Sequence, residues 1–335
     1  MRFGLALPHY GYSFPDDVPM SFERVAAFAR DAERLGFDSV WMSDHFYLSI
    51  QRYGGDDTRH DALEALTTLA ALTQVTERVR LGTLVLGVPF RHPSMLAKMA
   101  ATIDQLSGGR MDLGVGSGWY EDEFRDFGFP FGSVGERFDE LEEAMQVLGL
   151  LLSGEAADFH GERFRLRGAR LGPEPVQQPR VPLWLGAKGG PRSLRLAARH
   201  ADGWNLSWKT TPDDYSDKAR AMDAACDSAG RDPATLKRSL GLYTLVGEDE
   251  RDLVQRWLAM QRWMPGGALD GEMLEDWARD TLTGTPERIL ERLEAFAALG
   301  VSEVILSPSA LPFAFFDAEM IEVFATEVIP AARGL

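Results

Sequence analysis

The adjacent pair Asp44-His45 is the place in this chain where chemistry is easiest to read. An imidazole changes charge near neutral pH, so His45 can pass a proton or hydrogen-bond a ligand oxygen. The carboxylate beside it can accept from a ring N–H or a hydroxyl. His9 and His92 stand at comparable places, each just after an apolar run. With no H-x-H, no H-E-x-x-H and a single cysteine, a catalytic metal is not expected. Ser117 lies in no G-x-S-x-G elbow and reads as a small residue beside a ligand rather than a nucleophile. A second chemical feature is Gly186-Ala187-Lys188-Gly189-Gly190-Pro191. Glycines after an apolar run let backbone N–H groups curl around an anion, and Pro191 pre-sets the next helix. Lys188 or Arg192 would add a charge-assisted bond. The run lacks the closing Lys-Ser/Thr of a P-loop, so nucleoside triphosphate hydrolysis is not implied.

Something must bring these residues together. The apolar runs Phe3–Leu7, Ser39–Met42, Val79–Leu86, Met111–Val115, Pro182–Leu185, Gly203–Leu206, Ser239–Val246 and Glu303–Leu306 read as strands. Val40-Trp41-Met42, Leu84-Val85-Leu86 and Val304-Ile305-Leu306 are apolar on both faces, as in parallel sheets covered by helices. Amphipathic segments alternate with them: Phe22–Leu35, Asp61–Thr73, Ser94–Leu106, Glu136–Leu152, Pro191–Ala198, Pro212–Ala229, Pro286–Leu299 and Asp317–Val328. Eight of each predict an α/β fold, a (β/α)8 TIM barrel in one domain over residues 1–335. No G-x-G-x-x-G follows the first strand, which disfavours a dinucleotide-binding sheet. Two stretches break the rhythm and read as insertions: 154–181, alternating like a hairpin around His160–Leu166, and 263–284, with a short helix near Met273–Ala278.

A barrel keeps its chemistry at the C-terminal ends of its strands. Those ends carry His9; Asp44, His45 and Phe46; Phe90, Arg91 and His92; Ser117, Gly118, Trp119, Tyr120 and Glu121; Ala187 to Gly190; and Trp208 with Lys209. Trp41 and Trp184 sit within strands and read as core, and Cys226 as helix packing.

The 335 residues carry 35 Lys and Arg against 51 Asp and Glu, a formal net charge of −16. That average field repels polyanions, so neither nucleic acid nor an anionic membrane surface is an expected partner. No run reaches the ~18 apolar residues a membrane span needs. Met1 to Pro8 does not form a signal peptide, and a cytoplasmic address is expected.

The chain resembles the bacterial luciferase-like superfamily of flavin and deazaflavin oxidoreductases, and above all its coenzyme F420-dependent branch. The resemblance covers nearly the whole chain. It rests on Arg2-Phe3-Gly4, Asp38-Ser39-Val40-Trp41 with Ser43-Asp44-His45-Phe46, Val79-Arg80-Leu81-Gly82-Thr83 and Arg91-His92-Pro93. It continues through Ala97-Lys98, Leu106-Ser107-Gly108-Gly109-Arg110, Leu113 to Glu121, Glu174-Pro175-Val176-Gln177, Pro182 to Gly186 and Ala201-Asp202-Gly203-Trp204-Asn205.

By this resemblance the cofactor ring lies across the barrel mouth, with Asp44 by its pyrimidine side and His45 at its reactive face as the proton-handling group. The resemblance also implies a non-prolyl cis peptide at Leu84-Val85 backing the ring. Ser117, Gly118 and the run Ala187, Lys188, Gly189, Gly190 would meet the cofactor phosphate. His9, Phe46, Phe90, Trp119, Glu121, Trp208 and Lys209, with Phe14, would line the substrate pocket. The branch that oxidises sugar phosphates has a Glu where Trp119 stands, and Glu121 lies two residues farther on, so that reaction is disfavoured.

The expected activity is F420-dependent hydride transfer at C5 of the deazaflavin. The alternatives are an FMN-dependent monooxygenase using reduced flavin and O2, and a non-catalytic flavin- or deazaflavin-binding protein. A wide apolar mouth suits an aromatic, enone or alicyclic substrate, while Lys209, Arg91 and Lys188 leave an anionic one open. A homodimer is expected from the Ala-rich helices after strands two to four, with a separate reductase or dehydrogenase as indirect supplier of reduced cofactor.

Overall fold

The computed structural model describes residues 1–15 and 19–335. Eight parallel strands close on themselves: β1 (Arg2–Ala6), β2 (Ser39–Met42), β3 (Arg80–Thr83), β4 (Met111–Gly116), β5 (Leu183–Gly186), β6 (Gly203–Trp208), β7 (Lys237–Val246) and β8 (Glu303–Ser307). Each pairs with the next, β4 joins β5 at Leu113 and Leu183, and β8 returns to β1 with Glu303 beside Arg2. The result is the (β/α)8 barrel expected from the alternation. The principal helices around it are α1 (Phe22–Arg34), α2 (Ala65–Leu72), α3 (Pro93–Ser107), α4 (Val134–Leu152), α5 (Pro191–His200), α6 (Pro212–Ser228), α7 (Glu250–Trp263) and α8 (Pro286–Ala298). No helix among the described residues is long and apolar enough to cross a membrane.

Local chemistry sets the boundaries. Ser133 and Glu136 close a capping box at the start of α4, two residues earlier than the periodicity implies. Helix α2 starts at Ala65, not Asp61, because the Glu64 carboxylate caps it by accepting from Leu66 and Thr67 N–H. The residues ahead of it, Arg59–Asp61, instead pair antiparallel with Tyr47–Ser49, a hairpin the pattern did not announce. The expected single strand over Val79–Leu86 is interrupted: β3 ends at Thr83, and Leu86–Gly87 re-pairs with β4 beyond a cis Leu84-Val85 peptide. Ser207-Trp208 is also cis.

Helix α7 was absent from the expected set. Its buried Leu253, Trp257 and Met260 pack one face inward, and Asp249 caps its start by accepting from Asp252 N–H. Segment 154–181 lies between α4 and β5 and carries the hairpin Ala157–His160/Arg165–Ala169, whose Phe164 packs edge-on to His92 at the start of α3. Segment 263–284 holds the short helix Leu274–Ala278 and a strand, Leu282–Gly284, paired with the end of β7; it overhangs the mouth.

Trp41 and Trp184 fill the barrel floor in an edge-to-face contact at 5.9 Å. Cys226 is buried on α6 against the neighbouring elements.

Candidate active site

The mouth of the barrel opens into a cavity of about 1240 Å³. The strand ends supply its floor. Ser43, Asp44 and His45 follow β2; Leu84, Val85 and Leu86 follow β3; Ser117, Gly118 and Trp119 follow β4; Ala187, Lys188 and Gly190 follow β5; Trp208 and Lys209 close β6. Phe90 and Tyr120 complete the wall.

His45 is not alone. Its Nδ1 lies 2.7 Å from Glu123 Oε2, and the carboxylate also accepts from the backbone N–H of Phe46 at 2.6 Å and of Tyr47 at 3.3 Å. Glu123 is fully buried. It therefore fixes both the ring's orientation and the tautomer with hydrogen on Nδ1, leaving Nε2 with no partner among the described residues. The edge of the ring meets Trp119 at 5.5 Å and Tyr120 at 6.3 Å. Sequence reading singled out Glu121 instead. Both acids sit on the short helix Glu121–Asp126, and two residues of helix turn a side chain by about 200°. With Glu123 aimed at His45, Glu121 faces away and does not line the cavity.

Asp44 is buried and bound on both oxygens. Arg91 donates to Oδ2 at 2.6 Å and to Oδ1 at 2.8 Å, and Gly87 N–H adds a bond of 3.1 Å to Oδ2. Arg91 continues to Glu64 at 2.5 Å, the residue that caps α2. The two charge-assisted bonds to one carboxylate are the strong, bidentate kind. Arg91 is thus committed to the scaffold rather than free for a substrate. Burial lowers the Arg91 guanidinium's hold on its proton, but the Asp44 carboxylate more than offsets this and moves its pKa up.

His9 lies behind the wall, fully buried, and does not line the cavity. Its Nδ1 donates to Leu7 O at 2.7 Å, and Ser43 Oγ lies 3.2 Å from Nε2. Burial drives its pKa down to about 4, so the ring is neutral and Nε2 accepts from Ser43. Ser43's one hydrogen is then used, and Tyr10 donates to Ser43 Oγ across 2.5 Å. His92 caps α3, with Nδ1 accepting from Ser94 N–H.

Of the other expected pocket residues, Phe90, Trp119, Trp208 and Lys209 line the cavity, whereas Phe46 and Phe14 do not. Phe46 is turned to the outside of the rim and stacks on Phe127 at 4.1 Å. Phe14 packs edge-on to Phe315. Gly189 is also outside the lining; its φ of +87° makes the turn that presents Lys188 and Gly190.

The lining has a flat seat and a cationic end. Val85 sits among glycines: a Cβ on Gly186 would lie 2.6 Å from Val85 Cγ1, and one on Gly116 would lie 2.8 Å from Cγ2. Only bare backbone on β4 and β5 lets this ledge form. To one side of it stand Lys188 and Lys218 with Gly190, Pro191 and Ser193 at the start of α5, while the neighbouring Arg192 is paired with Asp139. In a chain of net charge −16, a cavity end of this sign selects anions against the average field. An apolar ledge for a ring, with cations and helix-start N–H groups for a phosphate-bearing tail, fits a flavin-type cofactor. Among the described residues no three His, Cys, Asp or Glu are grouped to hold a metal ion.

The profile of the family described as luciferase-like monooxygenase matches residues 1–303, and the chain belongs to that family. An F420-dependent glucose-6-phosphate dehydrogenase of Amycolatopsis mediterranei is 36% identical over 326 residues, 92% of this chain and 94% of that protein. An FMNH2-dependent dimethylsulfone monooxygenase of Pseudomonas putida is 29% identical over 334 residues, 92% of this chain and 87% of that protein. Among solved structures, an F420-dependent secondary alcohol dehydrogenase holding an F420-acetone adduct superposes with a TM-score of 0.77 at 24% identity, covering 99% of both chains.

Proposed function

We propose that the chain is an F420-dependent oxidoreductase, moving a hydride between C5 of the deazaflavin and a small organic substrate. The observation that carries the reading is the His45–Glu123 pair beside the Leu84-Val85 ledge, with a cationic end at Lys188. Relatives named as F420-dependent enzymes over nearly the whole chain support it.

When bound, the deazaflavin supplies a two-electron hydride donor or acceptor. The chain's residues do the rest. Leu84, Val85 and Leu86 would form the floor under the ring, and Ser117, Gly118, Ala187, Lys188 and Gly190 would hold the anionic tail. As a carbinol carbon gives up its hydride, His45 Nε2 takes the hydroxyl proton; in the reductive direction it returns it. Glu123 is a positioning residue that keeps Nε2 turned to the cavity and stabilises the imidazolium formed. Asp44, through Arg91 and Gly87, locks the segment after Leu86 in place. Phe90, Trp119 and Trp208 keep water from the reacting atoms.

A second reading, an FMN-dependent monooxygenase, is favoured by the similarity to the dimethylsulfone enzyme. Titration of the full chain with F420 and, separately, FMN separates the two, with intrinsic tryptophan fluorescence as the readout. Micromolar or tighter F420 binding without FMN binding is expected. The reverse preference, with O2 consumed when reduced FMN is supplied, would overturn the F420 reading.

A further inference from the structure

The cavity has a second end, away from Lys188. It is built by the turn Gln51–Tyr53, the segment around Met264 to Glu272, and Trp277 from the short helix beyond. Arg52 stands here with no carboxylate partner among the described residues. Its guanidinium lies 4.3 Å over the Trp119 ring, the same ring whose face His45 approaches at 5.5 Å. A ligand one or two ring widths long therefore spans from His45 to Arg52.

The groups around Arg52 are donors in want of an acceptor. The Tyr53 hydroxyl has no hydrogen-bond partner among the described residues and stays protonated: burial pushes it up to about 12, against the opposing pull of Arg52. Trp277 is buried in the wall with its Nε1–H unsatisfied, a rare condition for a buried polar atom. Tyr243, stacked on Trp277 at 5.7 Å, has a hydroxyl with no described partner, and burial holds it protonated. Lys209 is not available in the same way, being tied to Asp280 at 3.6 Å and laid over Trp277 at 4.4 Å. Glu272 also lines this end; it is exposed and ion-pairs with none of the described cations.

We propose that the substrate carries a carboxylate, held by Arg52 and Tyr53, on a flat apolar body that lies against Trp119 and reaches His45. The inference rests on the oxidoreductase reading and names its substrate class: a small aromatic or alicyclic acid bearing the alcohol or carbonyl to be interconverted. Guanidinium and phenol match the in-plane lone pairs of a carboxylate, and Trp119, itself covered by Arg52 at 4.3 Å and stacked with Tyr120 at 5.1 Å, walls the ligand's ring with its edge. The cofactor's own anionic part occupies the opposite end, so the two anions do not compete.

The probes are benzoate and its neutral counterpart benzamide, titrated calorimetrically into the full chain, alone and saturated with F420. Benzoate is expected to bind at least tenfold tighter than benzamide. Arg52→Met should cost benzoate at least tenfold and change benzamide by less than twofold, and Arg52→Lys should restore part of the loss. The proposal is overturned by no benzoate binding to the wild-type chain, by an Arg52→Met loss shared equally with benzamide, or by a loss that follows Lys188→Met instead. Failure of F420 to bind, with benzoate behaving as expected, would count against the cofactor and leave the acid site standing.

Discussion

The two ends of the barrel treat polar groups in opposite ways. At the N-terminal ends of the strands nearly every one is matched. Arg80 donates to Asp112 at 2.5 Å and to Gln177 at 2.9 Å, and Gln177 in turn donates to Asp104 at 2.7 Å. Trp184 Nε1 donates to Asp112, while Trp41 Nε1 donates to Ser39, whose hydroxyl donates to Glu303. Arg2 completes Glu303 at 2.7 Å. At the C-terminal ends, His45 Nε2, the Arg52 guanidinium, the Tyr53 hydroxyl and Lys188 have no hydrogen-bond or ion-pair partner among the described residues, and Trp277 Nε1 is buried without one. Arg52 and Lys188 are exposed and solvated, so their openness costs nothing; Trp277 Nε1 is different, a buried donor in the cavity wall that the fold leaves for a ligand to satisfy.

The sharpest way to break this comparison is to cut one group from each end. Asp112→Ala leaves Arg80 and Trp184 Nε1 without their carboxylate, and the loss should be about 3–5 kcal/mol of stability in urea unfolding. Binding of F420 by the folded variant should be unchanged. His45→Asn, whose amide N–H still donates to the buried Glu123 carboxylate, should do the reverse, keeping the unfolding midpoint while turnover falls roughly 10²–10⁴-fold. A large stability loss in His45→Asn, or lost binding in folded Asp112→Ala, would mean the ends are not separable.

Acid separates the ends by sign. At the floor, burial raises the Glu303 carboxyl above its ordinary value, so its contribution to stability is present at low pH and fades as pH rises. At the other end of β1, behind the cavity wall, His9 is depressed to about 4 from an ordinary 6.5. Between those values the unfolded chain binds the proton and the folded one does not, so stability is lost as pH falls from about 6.5 to about 4. The loss amounts to about 3 kcal/mol. His9→Gln should remove this component, so the stability gap between wild type and variant measured at pH 7 should shift by that amount at pH 4. A gap that stays constant with pH would show that His9 is not the acid-sensitive group.

What the sequence made legible divides along similar lines. The barrel was readable because eight short apolar runs alternate with amphipathic segments. Even α7, overlooked, carried its signal in Asp249, Leu253, Trp257 and Met260. Asp44-His45 was readable because the two are adjacent and end a strand. Their partners were not: Arg91 lies 47 residues from Asp44, and Glu123 lies 78 from His45 on a helix of six residues, too short to show a period. Arg52 sits in a polar turn with no pattern at all, and only the packing of the Tyr47–Asp61 hairpin carries it over the mouth.

The smallest expected effect tests where the ends meet, at the Val85 ledge. Gly186→Ala puts a methyl 2.6 Å from Val85 Cγ1 and 3.1 Å from Cγ2. Both atoms belong to a short branched side chain with few rotamers to escape into. The ledge must move, at a cost of about 1–3 kcal/mol. If Val85 backs the cofactor ring, that displacement should appear chiefly as weaker F420 binding, with little change in benzoate binding at the Arg52 end. Equal weakening of both ligands would mean that the cavity deforms as a whole. Unchanged F420 binding with reduced stability would remove the ledge from the cofactor seat and leave Val85 as part of the core.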